Sequence, residues 1–188
     1  MRPLISAIAR ICLGTAIVTG ESSCKAATPA LAGEGDELLF ALCPDAGRVL
    51  AVEPRSGRER WSAPLGPPVS RDPTGWSVDE RVLLRAGDRV VVRHDGHLVA
   101  LHARDGHMLW RRSEPCLLRA ANREHVLVSC LDLVRGEEAL HLLDARDGRR
   151  VRSFALGLED SMELGPNHLI VHTGEGLVRR IDLDGRVE

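Results

Sequence analysis

Four turn glycines constrain this chain more than any other feature. Gly57 closes VLAVEPRSG, Gly106 closes LVALHARDG, Gly148 closes LHLLDARDG and Gly185 closes VRRIDLDG, each after a short apolar run. They fall 49, 42 and 37 residues apart, and a tryptophan stands four residues after the first two, at Trp61 and Trp110. Arg152 takes that place in the third copy, and the fourth runs out at Glu188. An upstream hairpin recurs as well. Asp95-Gly96 turns the chain between VVVR and HLVAL, and Ala46-Gly47, Arg135-Gly136 and Glu175-Gly176 do the same in the other copies. Glycine accepts the positive φ that a tight hairpin with a bulge requires, and Asp or Ser before it bonds the local backbone.

Runs such as Val49–Val52 and Leu98–Leu101 are apolar at successive positions rather than at alternate ones. Such strands must be covered on both faces, as in a sheet stacked between two similar sheets. A period near 40 residues with three to four short antiparallel strands per unit is the signature of a propeller blade. The expected fold is therefore all-β, with about four blades of three to four antiparallel strands in an open arc or partial ring. The units run over about 38–66, 76–114, 116–157 and 161–188 within a repeat domain spanning 38–188. The fourth copy stops one residue before its tryptophan position, so the last blade is expected to lack its outer strand or to borrow one. A homodimer joining two such arcs into about eight blades is one way of supplying it.

The core has to be built without tyrosine, with two phenylalanines and three tryptophans in 44% apolar residues. Val, Leu and Ala must fill it, with Trp as the large anchors. A formal charge of −2 gives no general pull on nucleic acid or on an acidic membrane surface. Arginine pairs at 111–112, 149–150 and 179–180 read as solvated charges at strand edges, which discourage sheet-to-sheet aggregation.

Residues 1–27 read differently, as a leader-like segment: Met1-Arg2 is followed by a mostly apolar stretch from Leu4 to Val18. Arg10 breaks that stretch, which is too short for a membrane span. Export to the periplasm or cell envelope is the expectation, and a cytoplasmic location the alternative if Ala9–Thr19 is instead a strand of the domain. A lipid anchor on Cys24 is disfavoured by Glu21-Ser22-Ser23 ahead of it. Residues 28–37 read as a linker.

No catalytic constellation stands out. The acidic residues fall at turns, at Asp95, Asp105, Asp147 and Asp184, or in loops. His94, His97, His102 and His107 surround two successive hairpins, where alternation sends some to opposite faces. They are expected to be surface or strand-edge residues, with no metal site, because a zinc centre needs three or four converging ligands. Cys116 and Cys130 lie on two runs that pair around the Ala120–His125 turn, which suits a disulfide in an oxidising compartment. Buried free thiols are the alternative for that pair, and the state of Cys43 is left open.

The second copy, GDRVVVRHDGHLVALHARDGHMLW, resembles the PQQ-like (quinoprotein-like) propeller repeat through Asp95, Gly96, Leu98, Ala100, Leu101, Gly106 and Trp110. The first copy matches through Gly47, Leu50, Ala51, Val52, Gly57 and Trp61. The third does so through Leu143, Asp144 and Gly148, the fourth through Gly176, Ile181, Asp182 and Gly185. The family's Asp after "AL" is replaced by Glu53 and His102 in the first two copies. The resemblance implies that Trp61 and Trp110 pack between blades. It also covers proteins that bind no quinone, of the BamB-like type, so it implies no cofactor and no catalytic residue here. The expected function is a non-enzymatic scaffold for protein–protein interaction. The alternatives are a fragment or degenerate relative of a PQQ-dependent dehydrogenase, or a ligand-sensing propeller domain.

Overall fold

The structure is a computed structural model that describes residues 38–43, 46–67, 82–132, 137–154, 161–172 and 176–183. The leader-like segment, the linker, Cys24, Gly136 and Gly185 lie outside the described residues. Among the described residues, fourteen antiparallel strands form four separate sheets. The first holds β1 (Leu39–Cys43), β2 (Arg48–Val52) and β3 (Glu59–Pro64). The second holds β4 (Leu83–Ala86), β5 (Arg89–His94), β6 (His97–His102) and β7 (Met108–Arg112). The third holds β8 (Cys116–Ala121), β9 (His125–Asp132), β10 (Glu137–Asp144) and β11 (Arg150–Phe154). The fourth holds β12 (Ser161–Leu164), β13 (His168–His172) and β14 (Val178–Asp182). Among the described residues no helix is long and apolar enough to cross a membrane.

Each sheet is a meander of neighbouring strands, and the sheets stack in chain order. The unbroken apolar runs explain why. In β5 and β6, Val90, Val92, Val99 and Leu101 pack against the first sheet together with Phe40, Leu42, Val49 and Ala51. The intervening Val91, Leu98 and Ala100 pack the other way, against Cys116, Leu118, Val126 and Val128 of the third sheet. Side chains of a strand alternate between faces, so a strand apolar at every position can satisfy two neighbours at once. A third cluster, with Leu127, Leu140, Leu142, Leu169 and Val171, joins the third sheet to the fourth. Fully burying one such Val or Leu contributes about 1.5–3 kcal/mol, so an acidic residue at Val91 would be expected to break the stack at its centre. Among the described residues the apolar clusters join the first sheet to the second, the second to the third and the third to the fourth.

The outward strands look different because they face water on one side. In β3 only Trp61 and Ala63 are buried, and in β7 only Trp110 is. One irregularity repeats in three sheets. The register shifts between Ala51 and Val52, between Ala100 and Leu101, and between Leu142 and Leu143. Each shift is a bulge that ends the ladder just before a turn glycine and re-aims the next strand.

Candidate functional site

The three bulged turns are built alike. His102 N–H donates to the His107 carbonyl and Gly106 N–H to the His102 carbonyl, at 2.9 and 2.8 Å. Glu53, Arg58 and Gly57 make the same two bonds in the first sheet, and Asp144, Arg149 and Gly148 make them in the third. Gly106 and Gly148 have φ of +75° and +71°, the left-handed region that costs glycine least. A second constraint comes from the sheet before. A Cβ on Gly106 would sit 2.5 Å from the Trp61 ring, and one on Gly148 would sit 2.8 Å from the Trp110 ring. Each tryptophan also donates its indole N–H across the sheet boundary, Trp61 to the Ala103 carbonyl and Trp110 to the Ala145 carbonyl, both at 3.0 Å. The turn glycine, the tryptophan and this carbonyl therefore form one inter-sheet seat.

The third boundary keeps the bond without the indole. Arg152, at the tryptophan position, donates to the Asp182 carbonyl at 2.9 Å, with its guanidinium 5.2 Å from the centre of the Phe154 ring. The aligned repeats mark the position, but a guanidinium standing in for an indole becomes visible only beside its acceptor. Gly47, Gly57, Gly96 and Gly176 have positive φ at their turns as well. Asp144 accepts the Arg146 backbone N–H at 2.7 Å, and the Asp182 carboxylate lies 3.4 Å from Arg180 Nε.

The cysteines and histidines occupy distinct places. Cys116 and Cys130 are directly opposite on β8 and β9 and form a disulfide, with Cα atoms 4.1 Å apart. Cys43 is disulfide-bonded as well. His94 and His97 face each other across the hairpin at one end of the second sheet, where His94 is buried and its Nε2 lies 3.2 Å from the Pro67 carbonyl. His102 and His107 meet at the other end. Their Nδ1 atoms lie 3.0 and 2.7 Å from the same oxygen, Asp105 Oδ1, and their rings stack with centroids 5.0 Å apart. Asp105 also accepts the His107 backbone N–H at 3.2 Å. Its carboxyl is held down at about 2, chiefly by the His107 side-chain hydrogen bond and then by that backbone bond.

The separation of His94 and His97 from the other two comes from the length of β6, which has His97 and His102 at its opposite ends, and not from strand alternation. Alternation does not anticipate that His102 and His107 converge, because parity counted along a strand does not carry across a bulged turn. The spacing His-x-x-Asp-x-His was the available signal.

The same turn positions carry a row of cations. Arg55, Arg104 and Arg146 each stand two residues before the turn glycine of successive sheets, and all three are exposed. Because the tryptophans of the first two sheets each pack on the next sheet's turn glycine, these turns lie along one end of the stack.

The fold is that of known propellers. BamB from Moraxella catarrhalis superposes with a TM-score of 0.51 at 17% identity, over 82% of this chain and 49% of that one. The chain thus spans about half the length of that relative. The computationally designed Ika4 protein superposes with a TM-score of 0.56 at 15% identity, over 88% of this chain and 94% of that one. BBS1N, solved in complex with ARL6DN, gives a TM-score of 0.54 at 17% identity, over 84% and 48%. No curated protein sequence matches the chain. The sequence profile described as outer membrane protein assembly factor BamB matches residues 18–159. With that match across most of its length, and with tryptophan–glycine seats at two of the boundaries between its four stacked sheets, the chain belongs to the BamB family of PQQ-like propeller-repeat proteins.

Proposed function

We propose that the chain is a non-catalytic propeller scaffold that binds a protein partner in the cell envelope. The observation that carries this reading is the row of Arg55, Arg104 and Arg146, exposed at equivalent turns of three consecutive sheets. Turns on a rigid scaffold are the usual place for recognition, and a regular line of guanidinium groups suits a partner with an acidic surface. The acidic side chains at these turns are engaged locally. Asp105, Asp144 and Asp147 each accept a backbone N–H within their own turn, which suits structure rather than catalysis. The envelope location rests on the family, whose description is an outer membrane protein assembly factor. Because the chain spans about half of Moraxella BamB, a second copy completing a larger ring belongs to the same reading. Solution mass by light scattering tests that part.

The partner surface is tested by placing a photo-crosslinking residue at position 104 and irradiating envelope fractions. One defined adduct is expected, and its yield should fall at least several-fold when Arg55→Glu and Arg146→Glu are added. An unchanged yield overturns the arginine row as the docking surface. Dye reduction that appears on adding PQQ and Ca²⁺ to the purified chain would replace the scaffold reading with a quinone-dependent oxidoreductase.

A further inference from the structure

The His102–Asp105–His107 turn has a property the repeat does not require. All three bulged turns close through the same two backbone bonds, although the flanking pair is Glu53 and Arg58 in the first, His102 and His107 in the second, and Asp144 and Arg149 in the third. The second and third turns even share Ala-Arg-Asp-Gly between their flanks. Histidine is therefore not needed to build the turn, yet here two imidazoles and a carboxylate converge. Their nearest donor atoms, one from each residue, all lie within 4.8 Å of one another. His107 and Asp105 are well exposed and His102 is partly so, which leaves the cluster open to a hydrated ion.

Two imidazole nitrogens and one carboxylate oxygen are a donor set for borderline divalent metals such as Zn²⁺, Cu²⁺ and Ni²⁺. Zinc holds such donors at about 2.0–2.2 Å, which in tetrahedral geometry sets neighbouring donors about 3.3 Å apart. The Nδ1 atoms already lie 3.0 and 2.7 Å from Asp105 Oδ1, so small side-chain rotations reach that spacing. We propose that His102 Nδ1, His107 Nδ1 and an Asp105 carboxylate oxygen form a binding site for one borderline divalent transition-metal ion, with water in the remaining positions. Each imidazole then carries its proton on Nε2, and the ion takes the place of the hydrogen bonds that the two rings now share at Asp105.

The test uses the full chain without a histidine tag, with its disulfides oxidised and any metal first removed by a chelator. Titration with Zn²⁺ should show one saturable site per chain, and NMR should show His102 and His107 as the imidazoles that shift. His102→Asp with His107→Arg copies the third turn, so the fold is expected to survive, which circular dichroism checks. That double variant should bind Zn²⁺ at least ten-fold more weakly. Asp105→Asn keeps an oxygen for the backbone bond and should also weaken binding. In the reverse direction, Asp144→His with Arg149→His should create a second site on the third turn. No saturable Zn²⁺ binding up to millimolar concentration overturns the proposal, and so does binding that the double variant leaves unchanged.

Discussion

The boundary between the second and third sheets and the boundary between the third and fourth solve the same packing problem with different side chains. At the first of these, Trp110 lies against Gly148 and donates to the Ala145 carbonyl, amid a cluster that includes Val91, Leu98, Val126, Val128 and Leu143. Arg112 adds a second bond across it, from Nη1 to the Gly148 carbonyl at 2.6 Å. At the second, Arg152 donates to the matching carbonyl of Asp182 but brings no large apolar surface, and Phe154 fills part of the space. Asn122 supplies another crossing bond, to the Gly165 carbonyl at 2.6 Å. The difference separates two roles that tryptophan combines. The crossing hydrogen bond holds register between sheets, and any side-chain N–H donor at that position can provide it. The indole ring excludes water, and arginine does not replace that.

The largest test of the comparison removes the ring. Trp110→Ala should destabilise the chain by about 3–5 kcal/mol, the range for deleting a buried large aromatic. Urea unfolding measures it, and hydrogen exchange should rise at β7 and β10, on either side of the vacated seat. A loss below about 1 kcal/mol, the size of a single ordinary hydrogen bond, would mean that the bond to Ala145 does most of the work and that the two boundaries are not different in kind.

Arg152→Ala is the matching test on the other boundary and should cost less. It removes a hydrogen bond from a charged donor at a half-buried position and a cation–π contact, together worth about 1–2 kcal/mol. Exchange should rise in β13 and β14 while the first two sheets stay protected, because stacked repeats contact only their neighbours. A cost equal to that of Trp110→Ala would show that the last boundary depends on its polar bond as heavily as the others depend on tryptophan.

Much of this architecture was legible because it rests on features that sequence displays directly. The doubly apolar runs at 49–52 and 98–101 require sheets on both sides, and the glycines at 57, 106 and 148 mark where each ladder bulges and turns. The tryptophans advertise the seats. Arg152 does not, since it shares only an N–H donor with the residue it replaces, and its role depends on a carbonyl 30 residues away. The convergence of His102 and His107 on Asp105 is hidden for a related reason. It is set by the bulged turn, which resets the side-chain parity that alternation along a strand would give.

The smallest test concerns the rim of the tryptophan-sealed boundary. His141 of β10 points to the same side as Leu143, which belongs to that boundary's cluster, and its Nδ1 lies 3.0 Å from Ser153 Oγ. Burial lowers its pKa from the ordinary 6.5, Arg150 on β11 and Arg112 on β7 lower it further, and Glu114 opposes them. The folded chain therefore binds this proton less readily than the unfolded chain does. Above 6.5 the group is neutral in both states and has no effect on the balance. As pH falls through 6.5 the unfolded chain takes up the proton first, and stability is lost until the folded pKa is passed, below which the loss is constant. His141→Gln should flatten this slope while leaving stability at neutral pH almost unchanged, and unfolding midpoints at a series of pH values below neutrality measure it. The same series on the Trp110→Ala variant connects the two scales. If the vacated seat admits water to the rim, the burial that lowers the His141 pKa weakens, and the acid slope should shrink along with the stability.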